Sequence, residues 1–487
     1  MRRILAGIET EYGFTIEGRG TNDQVEDAMA LVRKSPNGCL RFWDYRFESP
    51  RKDLRGFEVD QLSIDPTDAV FDQGKAQLPA TEIRSDHILP NGARFYNDHG
   101  HPEYATPECY GLKELARHDA AGEIWVTDCA QRLAEELHKT VRVYKNNSDY
   151  HGASYGTHES YLVPRSLGFQ KLYEALVPLL VARPVLTGAG KTGFEGRSPC
   201  DFQMSQRADF FTEKASVDTL YRRPIFNTRD EPHAPPQSWI RLHVISGDAN
   251  LMPTCTLRKV GLVKLALHLL EAGVCPKWEI PDPASAMAEV SRSTNSEGRI
   301  DLAGASWTTP RHILESYLLA AQPVVSTDPE LSQLIDDCYS LLEARFDRPD
   351  DFIFQVDWAA KQWLLQQALE PGEGWNTTAQ KSLDLQYHLL DPDEGLYTGL
   401  VAAGLVAHPS HQELAPLLVT PPSGRAKARG ASVRLGPEIT VAAGWSNLRL
   451  RTSRGEQDFA LPPDADYPDA LDGVSDVEEL GAILNGL

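Results

Sequence analysis

Arg94, Tyr96 and Asp98 alternate along one short stretch of the chain, with Ala93, Phe95 and Asn97 in the intervening positions. Successive side chains of a strand point to opposite faces, so one face here would carry a guanidinium, a phenol and a carboxylate. His99, Gly100, His101 and Pro102 are expected to break the strand, because proline lacks a ladder donor and glycine permits a turn. Glu103 follows directly. A candidate base, a cation, a phenol and a second acid therefore lie within short reach of one another.

The opening of the chain repeats the pattern. Ile4, Ala6, Ile8, Tyr12 and Phe14 form an apolar face, while Glu9 and Glu11 share the other. Two carboxylates on one strand face repel unless a cation lies between them, and oxygen ligands suit a hard ion such as Mg2+. Glu-x-Glu alone also fits a solvated edge strand; Tyr96, Asp98 and Glu103 tilt the reading toward metal. His158 follows a polar loop, Gly152-Ala153-Ser154-Tyr155-Gly156-Thr157, and stands at the mouth of a strand, where it is a candidate ligand. Arg207, Arg229 and Arg241 occur in polar segments between apolar strands, with His243 on the face of Arg241. Guanidinium groups on a polar sheet face match phosphates or carboxylates.

These residues need elements to hold them. The spacing predicts helices over residues 22–34, 112–137, 169–181, 257–272, 309–322 and 329–346, the last with Pro329 in its first turn, and a short strand over 140–144. Residues 40–88 show no sustained period and read as a long functional loop near the site. Gly188-Ala189-Gly190-Lys191-Thr192 does not make a phosphate-binding loop, since Val185 stands where its first glycine is required and a helix precedes it. A tight turn followed by a surface lysine is expected instead. Pro421-Pro422-Ser423-Gly424 marks a boundary, giving a catalytic domain over 1–420 and a small C-terminal domain over 421–487.

Composition excludes several classes. A formal charge of −21 argues against a nucleic-acid binder, whose partner demands clustered Lys and Arg. The cysteines, seven in number, are scattered without a C-x-x-C pair, so neither a disulfide framework nor a zinc site is expected. Glu9 cuts short the first apolar run, and no segment approaches the ~20 apolar residues of a membrane span. A cytoplasmic protein without a membrane partner is expected.

Gly7-Ile8-Glu9-Thr10-Glu11-Tyr12-Gly13, residues 91–106, Lys145-Asn146-Asn147, residues 154–159 and 227–233, Arg241-Leu242-His243 and residues 383–387 occur in the order found in a known family. From Met1 to about Trp445 the chain resembles the Dop/PafA enzymes of the prokaryotic ubiquitin-like protein Pup. The resemblance implies an α+β fold in which a glutamine synthetase-like concave antiparallel sheet, backed by helices, cradles ATP and Mg2+, with a small C-terminal domain. It implies magnesium ligation by Glu9, Tyr96 and Glu103, nucleotide contacts from Arg94, Thr106 and Trp445, and Asp98 as the catalytic aspartate; Glu11 and His158 join the metal set on chemical grounds. Pup or a Pup-like modifier, pupylated proteins and a functional link to the bacterial proteasome are the implied partners.

The family holds two opposed activities. Its ligase joins the C-terminal glutamate of Pup to a lysine; its other branch deamidates the C-terminal glutamine of Pup and removes Pup from conjugates. Trp43-Asp44-Tyr45, Glu48-Ser49-Pro50 and Arg55-Gly56-Phe57 resemble an insertion of the deamidase/depupylase branch, and hydrolysis is the expected activity. Ligation on the same fold, a catalytically silent Pup-binding regulator and a nucleotide-independent dinuclear metal hydrolase are the alternatives.

Overall fold

The structure is a computed structural model that describes residues 2–63, 79–150, 152, 154–196, 198–369, 374–375 and 377–487. Its centre is a six-stranded antiparallel sheet in the order Trp239–Val244, Thr157–Pro164, Ala6–Glu11, His101–Ala105, Arg94–Asp98 and His87–Ile88. Helices Leu112–Leu137, Gly168–Ala182 and Pro253–Ala272 supply the apolar side chains that meet one face. Ala6, Ile8, Tyr161, Val163, Leu242 and Val244 pack with Leu115, Leu176 and Val263 in the main core. Phe95 and Tyr104 enter a second cluster with Ala121, Trp125 and Val126. Period-two alternation then leaves Glu9, Glu11, Arg94, Tyr96 and Asp98 on the opposite face.

The mixed α+β class agrees with expectation, and the helix of residues 112–137 has the bounds its spacing predicts. Three local expectations are corrected. The opening strand does not run through Phe14: it stops at Glu11, its last residue in register with His101–Ala105, and Gly13–Ile16 pairs instead with Val141–Tyr144. Pro102 does not end the strand but stands within His101–Ala105, opposite Asn97. Its carbonyl accepts the Tyr12 N–H at 2.9 Å, so the ladder loses a donor and keeps an acceptor. Lys191 is not a surface charge; it is buried between Glu195, at 2.6 Å, and the Ser148 hydroxyl, at 3.1 Å.

The stretch from 40 to 88 carries more structure than its composition suggests. Trp43 bridges to Ala443, Tyr45–Phe47 forms one helical turn, Ala80–Arg84 is a short helix, and His87–Ile88 is the sheet's edge strand. Residues 64–78 of that stretch lie outside the described residues. After residue 421 come helix Arg425–Leu435, a three-stranded antiparallel sheet of Thr440–Ala443, Asn447–Thr452 and Gly455–Ala460, and helix Val477–Asn485. Their apolar cluster, including Leu448, Leu450, Phe459 and Leu480, also takes in Leu40, Trp43 and Ile88. No helix among the described residues is long and apolar enough to cross a membrane.

Candidate active site

Strand register builds the site in rows. Arg94, Ala105, Glu9 and His158 are successive cross-strand partners, as are Tyr96, Glu103 and Glu11, and Asp98 faces His101 across the hairpin. That hairpin turns on His99 and Gly100, both in left-handed backbone with φ of 46° and 88°. The rows floor a cavity of about 330 Å3 lined by Glu9, Tyr96, Asp98, Glu103, His158 and His243, with Arg84, Arg94, Arg229 and Arg241 around them.

Two clusters with the chemistry of metal ligands lie on this floor. Glu9, His158 and His243 present ligand atoms all within 4.8 Å of one another, and so do Glu11, Asp98 and Glu103. In the first cluster burial opposes ionisation of Glu9. His158, His243 and the Arg241 guanidinium outweigh it and hold the carboxyl well below the usual range. His158 Nδ1 and His243 Nε2 lie 3.8 and 3.7 Å from Glu9, and Arg241 Nη1 lies at 3.3 Å. Burial and then the Arg241 charge push His243 well below its ordinary value, so the ring is neutral. Neither of its nitrogens has a hydrogen-bond partner among the described residues.

In the second cluster the acids face one another. Burial, then the charges of Asp98, Glu9 and Glu11, push Glu103 well above the carboxylate range, and Tyr96 donates its phenolic hydrogen to it. Glu11 accepts from the Gly156 N–H at 2.9 Å. A Cβ at Gly156 would lie 2.4 Å from His158 Nε2 and 3.0 Å from Glu11 Oε1, so glycine there lets loop and ligands approach. The donor sets fit divalent cations: buried, unpartnered histidine nitrogens in one cluster, and crowded carboxylates that a cation would relieve in the other.

Asp98 belongs to the second cluster and also lines the cavity. Burial raises its pKa, but His99, Arg84 and Arg94 outweigh burial and keep it below the usual value. Arg84 Nη1 lies 3.4 Å from Oδ1. The carboxylate is thus ionised and accessible, as a base or a nucleophile must be.

Of the expected nucleotide contacts, Arg94, Arg229, Arg241 and Trp445 line the large cavity. Arg241 and Trp445 also line a smaller, mainly apolar one of about 50 Å3 with Gly7, Ile8, Thr106 and Tyr161. The Thr106 hydroxyl accepts from the Ile8 N–H at 3.0 Å. Arg229 is largely buried with an unpartnered Nε, and Glu231 lies 3.9 Å from its Nη1. Arg207 stands apart from both cavities: it is buried, donates to the Ile245 carbonyl and to Ser154 Oγ, and burial beside Arg223 pulls its pKa down to about 9. Its surroundings are those of a structural arginine. Arg425 and Arg429 are likewise internal, both held by Glu108.

The sequence pattern puts His243 on the right face without giving it a role, and carries no sign of the places of Arg84, Glu48 and Glu231 in the cavity wall. The signal for His243 was the Arg241-x-His243 alternation; its pairing opposite Ser160 comes from long-range register. Glu48 and Arg84 come from the aperiodic stretch, where no pattern announces which side chains turn inward.

Comparison with known proteins bears on this geometry. Residues 3–449 match the Pup-ligase protein family. The chain belongs to that family. It is 35% identical to a depupylase of Acidothermus cellulolyticus, over 92% of this chain and 91% of that protein. It is 37% identical to a Pup–protein ligase of Rhodococcus opacus, over 92% and 94%. Family membership therefore leaves both activities open. The structure of a complex between Pup and its ligase PafA superimposes with a TM-score of 0.77 at 26% identity, covering 99% of this chain and 93% of that one. The structure of PafA with ADP gives 0.72 at 27% identity, over 88% and 95%.

Proposed function

We propose that the chain is an ATP-dependent Pup deamidase and depupylase, cleaving the side-chain amide of Pup's C-terminal glutamine and the isopeptide bond between Pup and lysine. The observation that carries hydrolysis over ligation is the place of residues 43–57. Residues 43–45, 48–50 and 55–57 resemble the insertion of the hydrolytic branch, and Glu48 and Pro50 from this stretch, with Leu62 and Ser63 just after it, line the wall of the Asp98 cavity. The sheet serves as the concave cradle of a glutamine synthetase-like enzyme, residues 1–420 form the catalytic unit, and 421–487 form a small C-terminal one.

Glu9 and His158, with His243, and Glu11 and Glu103, beside Tyr96, would hold Mg2+, which supplies positive charge to balance the phosphates of ATP. Arg94, Arg229 and Arg241 offer donors to those phosphates, and Thr106 and Trp445 flank the smaller cavity for the rest of the nucleotide. Asp98 meets the scissile amide, with Arg84 keeping it charged and oriented. As nucleophile its carboxylate oxygen attacks the carbonyl carbon and expels ammonia or the lysine amine, leaving an anhydride that water hydrolyses; as base it takes a proton from the attacking water, and the same amine leaves. In a single turnover in heavy-oxygen water, a protein oxygen in the acid product marks the nucleophilic route.

Mass spectrometry of a Pup peptide ending in glutamine, with and without ATP, tests the proposal. Conversion of the terminal amide to an acid only when nucleotide is present is expected. Accumulation of conjugates and ADP from Pup ending in glutamate, ATP and a lysine-bearing protein would favour the ligase reading, which the identity to the Rhodococcus opacus enzyme supports. Conversion without nucleotide would favour a purely metal-dependent hydrolase.

A further inference from the structure

Arg94 is held in an unusual way for a residue that lines the cavity. Its guanidinium carbon lies 3.9 Å from the ring centroid of Tyr96 on its own strand and 4.1 Å from that of Trp43. Nε donates to Asp86 at 2.7 Å, Nη2 donates to the Tyr45 hydroxyl at 3.2 Å, and Nη1 lies 3.8 Å from Glu48. The Trp43 indole N–H donates to Glu48 at 3.1 Å. Three of Arg94's neighbours thus come from residues 43–48.

That short stretch is fastened to the C-terminal sheet. Asp44 N donates to the Ala443 carbonyl and Ala443 N to the Phe42 carbonyl, each at 2.9 Å. Asn447 Nδ2 donates to Asp44 at 2.6 Å, and Arg46 pairs with Asp458 at 2.7 Å. Trp43 meets Trp445 edge to face at 5.1 Å, and Arg429 lies 4.8 Å from the Trp445 ring. Arg429, Trp445, Trp43, Arg94 and Tyr96 form one continuous run of rings and cations, with the two indoles in contact at its middle.

We infer that Trp43 is a positioning residue for nucleotide binding, clamping Arg94 against Tyr96 and tying it to Trp445, so that the residues of the C-terminal sheet set the aim of a guanidinium on the central sheet. Cation–ring contacts with desolvated partners are strong enough for this, and two-sided stacking fixes the guanidinium plane and with it the direction of its remaining donors. The inference rests on the nucleotide part of the proposed function and not on the choice between hydrolase and ligase.

The test is calorimetric titration of the full chain with ADP and Mg2+, without Pup. Trp43→Leu is expected to weaken binding roughly tenfold, with Trp43→Phe restoring most of it. Asn447→Ala should shift affinity in the same direction by a smaller factor. Trp43→Leu combined with Trp445→Leu should lose less than the product of the single losses, because both act through one stack. In turnover, Trp43→Leu should raise KM for nucleotide and leave kcat at saturating nucleotide unchanged. An unchanged affinity in Trp43→Leu, a lowered Tm with normal affinity, or independent losses in the double variant would overturn the inference. Failure of the wild-type chain to bind nucleotide would overturn both this inference and the nucleotide assignment, whereas normal binding without hydrolysis would remove only the hydrolase reading.

Discussion

The two clusters on the cavity floor use the same residue type to opposite effect. Glu9 faces two imidazoles and a guanidinium and is held as an anion. Glu103, one strand away, is buried among Asp98, Glu9 and Glu11 and is pushed well above the carboxylate range. Burial is common to both, so what separates them is the sign of the neighbours. The first cluster is balanced by the charges around it; the second crowds acids together, a stress that a bound cation would relieve.

The sharpest way to break this comparison is to remove a charge from each side. Asp98→Asn keeps shape and removes the reactive carboxylate. Deamidation should fall about 10³-fold while nucleotide affinity stays near wild type, measured by product mass and by calorimetry. Unchanged turnover would take Asp98 out of the mechanism. Glu9→Ala should act in the reverse sense, weakening nucleotide binding in Mg2+ by about 10²-fold, and normal affinity would remove Glu9 from the metal set. A smaller loss, about tenfold, is expected for His243→Ala, read as a rightward shift of the Mg2+ titration.

The smallest effect concerns stability. Glu103 has a raised value in the fold, so between the ordinary carboxylate range, about 4.3, and that raised value the native state binds more protons than the unfolded chain. Stability then declines as pH rises through this window. Glu9 has a lowered value, and its stabilisation is present above the ordinary range and lost as pH falls through its own lowered one. In chelator, Glu103→Gln should raise Tm by about 2 °C at neutral pH and have little effect at acidic pH. Glu9→Gln should lower Tm at neutral pH. Parallel profiles for the two variants would mean that the clusters do not differ as described.

The alternation of Arg94, Tyr96 and Asp98 was readable because a strand with one buried face must write its period into the sequence. Glu9 and Glu11 were readable for the same reason. The end of the opening strand at Glu11 was not, because the chain beyond it leaves the central sheet to pair with residues 141–144, a partner distant in sequence. Lys191 looked like a solvent charge because its counter-ion, Glu195, and its cover, Tyr150 and Phe210, gather only when the turn folds. Arg207 and Arg229 read alike as polar-segment arginines; only depth distinguishes the one satisfied by a carbonyl and a hydroxyl from the one with an unpartnered nitrogen. Trp43 and Glu48 belonged to a stretch with no period at all, and the role of Trp43 depends on a contact with Trp445, hundreds of positions away.

Trp445 and Arg425, which line the smaller cavity, are encoded near the far end of the chain. A polypeptide leaving the ribosome exposes its N-terminal parts first, so the floor of carboxylates is available to fold well before that wall exists. A nascent chain would hold Asp98 and its neighbours before Trp445 and Arg425 arrive to wall the smaller cavity beside them.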